Sequence, residues 1–540
     1  MTKKEFLVLC LFLLPVLLFA AEYDITCYGA KGDGKTVNTT ILQNLINQCS
    51  NNGGGTVRIP AGVFVTGSIF MRSHVMLYLE HGAVLRASGN LDDYPEIRLR
   101  SYSRDLTTSI LGLIQAENIT DFGISGIGTI DGRGEDPVFH VGSNNSNGRL
   151  HGLNFYNCKR FSLTDISVIN TSFWTIRINR CEDVVLRGIK IDSNWYFNAD
   201  GIDIDGRNII VSDCIIDCLD DAICLKSYYK DFPCENITIT NCVVSSSCNA
   251  VKFGTPGFGG FINITISNIV IKKPKYNDLF DYRKYIIHGA TEAYLNSSGI
   301  ALELVDGGVF DRVIISDITM TNVLTPIFVR LAARRLDEQT PMLRNLIIDN
   351  VVAAGNSLMS CSITGIPGYR VENVTLSNIY LRYPGGGLEE HTVREIPEAV
   401  NSYPENKILG QDLPAYGFFL RHVQGITLQN VQFNLDMRDE RHAVYMDDCH
   451  GVRINTIRSN RHDGNVAYIK AVNSTDIAVS GFNAPKPLAL FFELCGTESN
   501  FVKLWGNDFT NVHTITRTSA GALSTSIHEM NNYLPKTVKR

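Results

Sequence analysis

A short pattern that recurs every 23 to 28 residues constrains this chain more than any other feature. In each copy an apolar residue is followed by a polar residue, then by Asn, Asp, Gly or Thr, and then by a second apolar residue. Repeats of this length, none of which can bury its apolar face alone, indicate a solenoid of stacked coils. The third residues of the first five copies lie 23, 25, 28 and 27 residues apart, at Asp165, Gly188, Asp213, Asn241 and Asn268.

The residues within each repeat are typical of strands. Val, Ile and Thr alternate with polar residues at a period of two, and a helical period is nearly absent. Three of the five later copies follow at wider intervals, which indicates inserted loops. Their third residues are Asp317, Asn378, Asn430, Thr456 and Gly481. We therefore predict an all-β chain that folds as a single-stranded, right-handed parallel β-helix.

The ends and interruptions of the repeat predict further features. An open end of a β-helix would expose unpaired backbone groups, and residues 39–49 have a helical pattern. We predict that this segment forms a helix that caps the N-terminal end. Residues 272–298 and 384–414 interrupt the repeat and are predicted to be long loops, which often shape a binding cleft.

Three regions are expected along the chain. Residues 1–21 have a charged start, an apolar run and small residues, as in a secretory signal peptide. Residues 22–512 form the predicted solenoid, and residues 513–540 form a predicted C-terminal tail with little order. The signal peptide predicts a secreted or periplasmic protein that has no membrane anchor after cleavage.

Charge and motifs argue against several functions. The 540 residues carry a net charge of −6 and no basic run, so no nucleic-acid partner is expected. Residues 29–36 match the phosphate-loop pattern GxxxxGK[ST], but no βαβ series follows to serve such a loop. We interpret this segment as a glycine-rich turn and expect no nucleotide.

Cysteines are numerous but lack the spacing of a metal site. Thirteen follow the signal peptide, and six of these crowd residues 214–248 without a CxxC pair. We expect most of them to be small buried side chains between coils, with one or two disulfides open as an alternative. No metal or cofactor is expected.

Two aspartate clusters lie about one coil apart. The first is Asn-Ala-Asp at 198–200, the second is Asp-Asp at 220–221, and Asp200 and Asp220 are twenty residues apart. Stacked coils would bring Asp200 beside Asp220 and Asp221, where like charges raise one another's pKa. Two carboxyl groups that flank a bond are what hydrolysis of a glycoside needs. The spacing therefore predicts a glycosidase site.

Three more aspartates lie nearby and are given a different interpretation. Asp203, Asp205 and Asp217 are read as turn residues, because Asp is common in turns.

These motifs resemble those of a known family. Residues 28–34 and the glycine-rich stretch 53–62 are similar to the opening of pectin-acting β-helix proteins, the pectin-lyase-like solenoids. The motifs at 198–200 and 220–221 resemble two signatures of the polygalacturonase family, glycoside hydrolase family 28. Residues 413–422 resemble the bacterial branch of that family.

The resemblance implies an inverting glycosidase whose substrate is a pectic polysaccharide, with a galacturonan or rhamnogalacturonan-type linkage. Asp220 would be the general acid, and Asp200 and Asp221 would hold and deprotonate the attacking water. Inversion needs carboxyl groups about 6.5–9.5 Å apart. Crowding should raise one pKa enough to keep that carboxyl protonated near neutrality, while the others stay ionised.

Two further family motifs differ here. Asn249 stands where the family has the His of a Gly-His-Gly motif, and Glu303 stands where it has an Arg-x-Lys pair for a galacturonate carboxylate. Glu303 would repel an acidic sugar, so the neighbouring subsite is expected to hold a neutral sugar such as rhamnose, or a branched unit. Lys226 and Lys252 would replace the lost charge or lie on a solvated face. Asn198 would hydrogen-bond a catalytic carboxylate or cap its turn.

Aromatic residues near the motifs have two interpretations. Trp195, Tyr196, Phe197 and Tyr416 would stack on sugar rings or pack within the protein.

Two other functions stay open at this point. A polysaccharide lyase on the same scaffold would need a basic residue such as Lys226 or Lys252 and would release an unsaturated sugar that absorbs ultraviolet light. A non-catalytic glycan-binding protein would bind without releasing reducing ends.

Overall fold

The computed structural model describes residues 21–95, 111–140, 149–275, 295–334 and 340–534. Nearly all of the predicted signal peptide and most of the predicted loop at 272–298 lie outside these ranges. Within them the chain is all-β apart from one α-helix and short 3₁₀ turns, and the strands pair in parallel from coil to coil. None of the helices in the described ranges is long and apolar enough to cross a membrane.

The strands fall into three groups along the solenoid. The N-terminal coils contain β1 (Ala21–Asp24), β2 (Asp33–Val37), β3 (Gly55–Ile59), β4 (Gly62–Thr66), β5 (Ile69–Phe70), β6 (Val75–Leu79), β7 (Ala83–Ala87), β8 (Leu111–Glu117), β9 (Thr120–Gly126) and β10 (Thr129–Asp131). The middle coils contain β11 (Leu150–Tyr156), β12 (Lys159–Thr164), β13 (Ser167–Ile169), β14 (Ile176–Arg187), β15 (Lys190–Ser193), β16 (Ile202–Ser212), β17 (Ile215–Cys218), β18 (Ile223–Ser227), β19 (Cys234–Ser246), β20 (Asn249–Gly257), β21 (Phe261–Ile271) and β22 (Asn296–Leu304). The C-terminal coils contain β23 (Val309–Leu331), β24 (Met342–Gly355), β25 (Cys361–Thr364), β26 (Val371–Tyr383), β27 (Ala415–Leu435), β28 (His442–Ser459), β29 (Ile469–Val472), β30 (Thr475–Ser480), β31 (Leu488–Cys495), β32 (Asn500–Trp505), β33 (Val512–Ser519) and β34 (Ile527–Met530).

Helical segments are few. The α-helix α1 spans Thr39–Asn51, and the 3₁₀ turns are Ile25–Tyr28, Leu91–Asp93, Pro137–His140, Glu389–Val393, Asn406–Leu409 and Ser524–Ser526.

Parallel pairing in register builds the core as rows of apolar side chains. Ile204, Leu225, Phe253 and Leu302 occupy equivalent positions in β16, β18, β20 and β22, and all four are buried in the main core. Successive side chains point to opposite faces of a strand. The residues next to these four positions therefore all point away from the core. The register therefore fixes which outward-facing side chains of successive coils become neighbours.

The recurring residue in the sequence pattern marks a left-handed turn. Asp213, Asn241 and Asn268 have φ values of 60°, 57° and 55°, a region that Gly, Asn and Asp enter at least cost. The side chains also link the coils, since Asn241 Nδ2 donates to Asp213 Oδ1 at 3.3 Å and Asn268 Nδ2 donates to Asn241 Oδ1 at 3.4 Å. Positive φ is shared by the third residues of the other copies, at Asp165, Gly188, Asp317, Asn378, Asn430, Thr456 and Gly481.

The predicted helical segment is a helix. Its buried side is formed by Leu42, Leu45, Ile46 and Cys49. Gln43 fixes it to β5, because its side chain donates to the carbonyl of Phe70 at 3.0 Å and accepts from the amide of Phe70 at 2.7 Å.

The C-terminal segment differs from the expected tail. β33 and β34 pair in parallel with β31 and β32, so the stack of coils continues beyond residue 512 to Met530. The weak sequence pattern has a physical source: the final strands are short, and several of their side chains are exposed.

The loop between β26 and β27 matches the predicted interruption at 384–414. An apolar cluster holds its second half to the coils, because Ile396, Leu409 and Leu413 pack with Phe419. Arg421 Nη1 also donates to the carbonyl of Ile396 at 2.9 Å. The loop therefore returns to the surface of the solenoid.

The cysteines of the described residues are free thiols. Ten of these thirteen are buried, as expected for small side chains between coils, and none of the thirteen forms a disulfide.

Candidate active site

Two adjacent turns bring the three predicted aspartates together. Asp200 precedes β16, and Asp220 and Asp221 precede β18. The amide of Gly201 donates to the carbonyl of Asp221 at 2.9 Å, and the amide of Asn198 donates to Asp220 Oδ2 at 3.1 Å. The twenty-residue spacing therefore places these side chains side by side on neighbouring coils.

Asp221 is bound by both a lysine and an asparagine. Lys252 Nζ lies 3.0 Å from Asp221 Oδ2, and Asn249 donates to Asp221 Oδ1 through its side chain at 2.8 Å and its backbone at 3.3 Å. Burial alone would raise the pKa of Asp221, but Lys252, Lys226 and Asn249 outweigh it and hold that pKa below its ordinary value. Asp221 is therefore ionised at neutral pH.

Asp220 has amide donors but no ion pair with any residue of the described ranges. Its two oxygens accept from the amides of Asn198 and Asp221, at 3.1 and 2.9 Å. Burial and the neighbouring Asp221 charge raise the pKa of Asp220. Two adjacent carboxyl groups thus have pKa values displaced in opposite directions.

Asp200 is buried with less compensation than expected. Lys226 Nζ lies 3.8 Å from Asp200 Oδ2, and Asp200 Oδ1 accepts no hydrogen bond from the described residues. Burial, Asp203 and Asp220 raise the pKa of Asp200 well above its ordinary value. The sequence predicts one raised pKa among the three aspartates, whereas the structure raises two, because Lys226 is shared.

Asp203 shares Lys226 with Asp200, and its position differs from the one expected from sequence. Asp203 is buried in β16, not placed in a turn, and its Oδ1 lies 3.0 Å from Lys226 Nζ. Burial raises the pKa of Asp203 to about 6 in spite of Lys226. Asp205 is buried two residues further along β16, and Asp217 lies in β17 with its Oδ2 2.8 Å from Lys272 Nζ. Asp203 and Asp205 alternate with Ile202 and Ile204, and this alternation is the sequence signal that both aspartates point away from the core.

Lys226 and Lys252 do not lie on a solvated face. Their exposed fractions are only 5% and 4%, and each bridges two carboxylates. Lys226 Nζ also stands 4.7 Å from the centroid of the Trp174 ring. Lys252 Nζ lies 3.6 Å from Glu303 Oε2 in addition to its bond to Asp221. Lys226 and Lys252, which the sequence suggests as partners for a substrate, are thus paired with carboxylates of the protein itself.

Glu303 is buried on β22 and belongs to the same cluster. Burial raises the pKa of Glu303 to about 8, although Lys252 acts in the opposite direction. The side chain is therefore mostly neutral at pH 7, and the repulsion of an acidic sugar expected from sequence is weaker than a full charge would give.

The raised pKa of Glu303 predicts a pH-dependent contribution to stability. The folded protein holds this proton more tightly than the unfolded chain, whose ordinary pKa is 4.5. The contribution is complete below pH 4.5 and falls as pH rises to about 8. Relative to a Glu303→Gln variant, the wild type should lose free energy of unfolding between pH 5 and 8, as measured by urea denaturation. A difference that does not change with pH would contradict this.

Asn198 supports the site with its backbone. It has a left-handed conformation with φ of 55°, and its amide, not its side chain, binds Asp220. Its side-chain oxygen accepts from Arg149 Nη1 at 3.3 Å. Arg149 is buried between the rings of Phe173 and Tyr196, whose centroids lie 4.5 and 4.8 Å from its Cζ. Arg149 was not apparent from sequence, since it comes from a coil 49 residues earlier.

The other aromatic candidates divide. Trp195 and Phe197 are exposed next to Asn198, so their faces are accessible. Tyr416 is 1% exposed and packs against Phe433 in the core, so the structure supports packing, the second of its two interpretations.

One set of ligand-type atoms accompanies the carboxylates. Oxygens of Asp220 and Asp221 and the sulfur of Cys248 lie within 4.8 Å of one another. This carboxyl pair is therefore closer than the separation of about 6.5–9.5 Å expected for inversion, and an inverting outcome follows from the resemblance to the polygalacturonase family, not from this distance. We assign no metal to these three side chains, because Lys252 and Asn249 already neutralise and hydrogen-bond Asp221.

Comparison with known proteins identifies the family of the chain. A family model described as Glycosyl hydrolases family 28 matches residues 49–402. The chain belongs to glycosyl hydrolase family 28. A probable polygalacturonase of Vitis vinifera is 29% identical over 283 residues, which are 47% of this chain and 57% of that protein. An exo-poly-alpha-D-galacturonosidase of Dickeya chrysanthemi is 28% identical over 301 residues, 46% of this chain and 50% of that protein.

The family 28 chain thus spans about half the length of these curated relatives. Among solved structures, the exopolygalacturonase from Thermotoga maritima superposes with a TM-score of 0.57 at 19% identity, covering 76% of this chain and 91% of that one. The likeness supports the predicted all-β solenoid.

Proposed function

We propose that this family 28 protein is an inverting glycoside hydrolase that cleaves pectic polysaccharide. The observation that carries the proposal is the contrast between two adjacent carboxyl groups: Asp221 is bound by Lys252 and Asn249, whereas Asp220 has amide donors and no ion pair within the described residues. Their pKa values are accordingly displaced in opposite directions. Environments that separate the pKa values of two carboxyl groups assign one as acid and the other as base. The names of the relatives, polygalacturonase and exo-poly-alpha-D-galacturonosidase, support a pectic substrate.

The roles are those that the resemblance to the family implies, and the surroundings of each carboxyl group support those of Asp220 and Asp221. Asp220 donates its proton to the leaving oxygen as the glycosidic C–O bond breaks. Asp221 accepts a proton from the water that attacks the opposite face of the sugar. Asp200 orients that water from the neighbouring turn.

The cations of the site favour hydrolysis over elimination. A lyase needs a base that can accept a proton from the sugar. Burial alone would lower the pKa of both lysines, but Asp203 beside Lys226, and Asp221 and Glu303 beside Lys252, raise these pKa values well above the ordinary range. Both lysines are therefore fully protonated and are unsuited to that role.

The same charges support a neutral sugar beside the cleaved bond. The charge of Lys252 is compensated by Asp221, and Arg334 makes a bidentate pair with Asp306 at 2.9 and 2.7 Å. Since these cations are already paired, this side of the site suits rhamnose or another uncharged unit better than a galacturonate.

We extend the proposal to the whole chain. Residues 1–21 would be a signal peptide removed on secretion, the coils would wind to the right, and α1 would cover the N-terminal end of the solenoid.

The stereochemistry of the product tests the proposal. Galacturonan and rhamnogalacturonan oligosaccharides would be incubated with the protein, and the anomer of the new reducing end would be followed by NMR. We expect the first-formed anomer to be inverted, with no rise in ultraviolet absorbance. Retention, an unsaturated product, or binding without any release of reducing ends would each overturn the proposal.

A further inference from the structure

Tyr403 lies on the loop between β26 and β27 but stands at the acidic site. Its ring centroid is 5.7 Å from Lys252 Nζ and 5.3 Å from Arg334 Cζ. Lys252 is the cation bound to Asp221, the candidate base. Tyr403, which lies outside the coils, is therefore separated from the candidate base Asp221 only by the side chain of Lys252.

Anchors on both sides hold this part of the loop. Three residues before Tyr403, the carbonyl of Val400 accepts from the amide of Ala333 at 3.3 Å. Three residues after it, Asn406 Nδ2 donates to the carbonyl of Ser297 at 2.7 Å. Backbone groups of the coils thus fix the loop, so that Tyr403 is presented in one place.

The exposure of Tyr403 is unusual for its surroundings. Its neighbours Lys252 and Glu303 are almost completely buried, whereas Tyr403 is 50% exposed. Lys252 and Arg334 both contact the ring, yet half of the Tyr403 side chain stays exposed beside the acidic site. Exposed aromatic faces next to buried polar groups are characteristic of binding sites.

We propose that Tyr403 is a platform on which the pyranose unit next to the cleaved bond stacks. The apolar C–H face of a pyranose matches the flat apolar face of the ring, and the charged side chains below it are occupied by their own partners. The loop thereby determines which sugars the site accepts. This inference rests on the proposed hydrolysis of pectic polysaccharide.

Three variants at this position and one control test the platform. Tyr403→Phe keeps the ring, whereas Tyr403→Ala and Tyr403→Leu remove it, and leucine keeps much of the volume. Trp505→Ala is the matched control, because Trp505 is 51% exposed on β32 in the C-terminal coils. Thermal melting of each variant shows whether it folds.

For a pectic oligosaccharide that the wild type cleaves, Tyr403→Ala and Tyr403→Leu should raise KM about tenfold with little change in kcat, as expected for losing one aromatic contact. Trp505→Ala should stay within about twofold of wild type, because Trp505 lies outside the site, and Tyr403→Phe should have a lower KM than Tyr403→Ala, because it keeps the ring. Unchanged KM in folded Tyr403→Ala and Tyr403→Leu proteins would overturn the platform.

The outcome is separable from the proposed hydrolysis. If the wild type cleaves no pectic oligosaccharide, the hydrolase proposal fails, and the platform is then judged by calorimetric binding of the same oligosaccharides to wild type and Tyr403→Ala. Weaker binding to Tyr403→Ala would support the platform, and equal binding or no binding would overturn it.

Discussion

Replacing Asp220 by Asn should lower kcat about 10²- to 10⁴-fold, the usual range for loss of a general acid, while the protein still folds. The amide has nearly the same size as the carboxyl group but has no acidic proton to give to the leaving oxygen. One of the two amide hydrogen bonds to Asp220 would be lost, because the new NH₂ group cannot accept it. The measurement is kcat on a cleaved pectic oligosaccharide, together with a thermal melt.

A neighbouring aspartate provides the control for this substitution. Asp217 is buried on the strand before the site, but its ion pair is with Lys272. Asp217→Asn should therefore affect stability more than turnover. Near-wild-type kcat in Asp220→Asn would show that the proton comes from another group, and the assignment of the acid would be withdrawn.

Replacing Lys252 by Met should impair stability and catalysis together. The variant leaves the ionised Asp221 buried without its cation, and removing one partner of a buried ion pair costs about 3–5 kcal/mol. The pKa of Asp221 should rise, because burial would no longer be offset by Lys252. A base must be ionised to act, so the acid limb of kcat/KM should move to higher pH. Urea unfolding and a pH–rate profile measure the two effects.

A surface pair separates these effects from a general loss of charge. Lys159 Nζ lies 3.0 Å from Glu182 Oε2 at a well exposed site, where such pairs contribute about 0–1 kcal/mol. Lys159→Met should leave the pH profile unchanged. A Lys252→Met protein with an unshifted acid limb would show that Lys252 does not govern Asp221.

The fold could be predicted from sequence because a backbone requirement is repeated. Gly, Asn and Asp adopt the left-handed backbone conformation of these turns at low cost. Residues such as Asp213 and Asn241 therefore recur at the period of the coil. The aspartate cluster was predictable for the same reason, since spacing along the chain becomes adjacency between coils. Where the pattern is weak, as in β33 and β34, the boundary at residue 512 was placed too early.

The surroundings of the aspartates depend on contacts that have no period. Nothing local in the sequence reveals that Lys226 and Lys252 are buried, because the elements that cover them come from elsewhere in the chain. Tyr403 is 151 residues from Lys252 and reaches it only through an irregular loop. Asp203 is the exception: the alternation of Asp and Ile along β16 predicts a strand position for it, and the expectation of a turn is wrong.

The anchoring of the loop between β26 and β27 has an evolutionary consequence. Its fixed points are mostly main-chain groups or core contacts on coils other than those that carry Asp200, Asp220 and Asp221. The segment between them can change length and composition without altering the strand register that aligns the acids. Selection can thus change which sugars such a protein binds, while the three aspartates keep their relative positions.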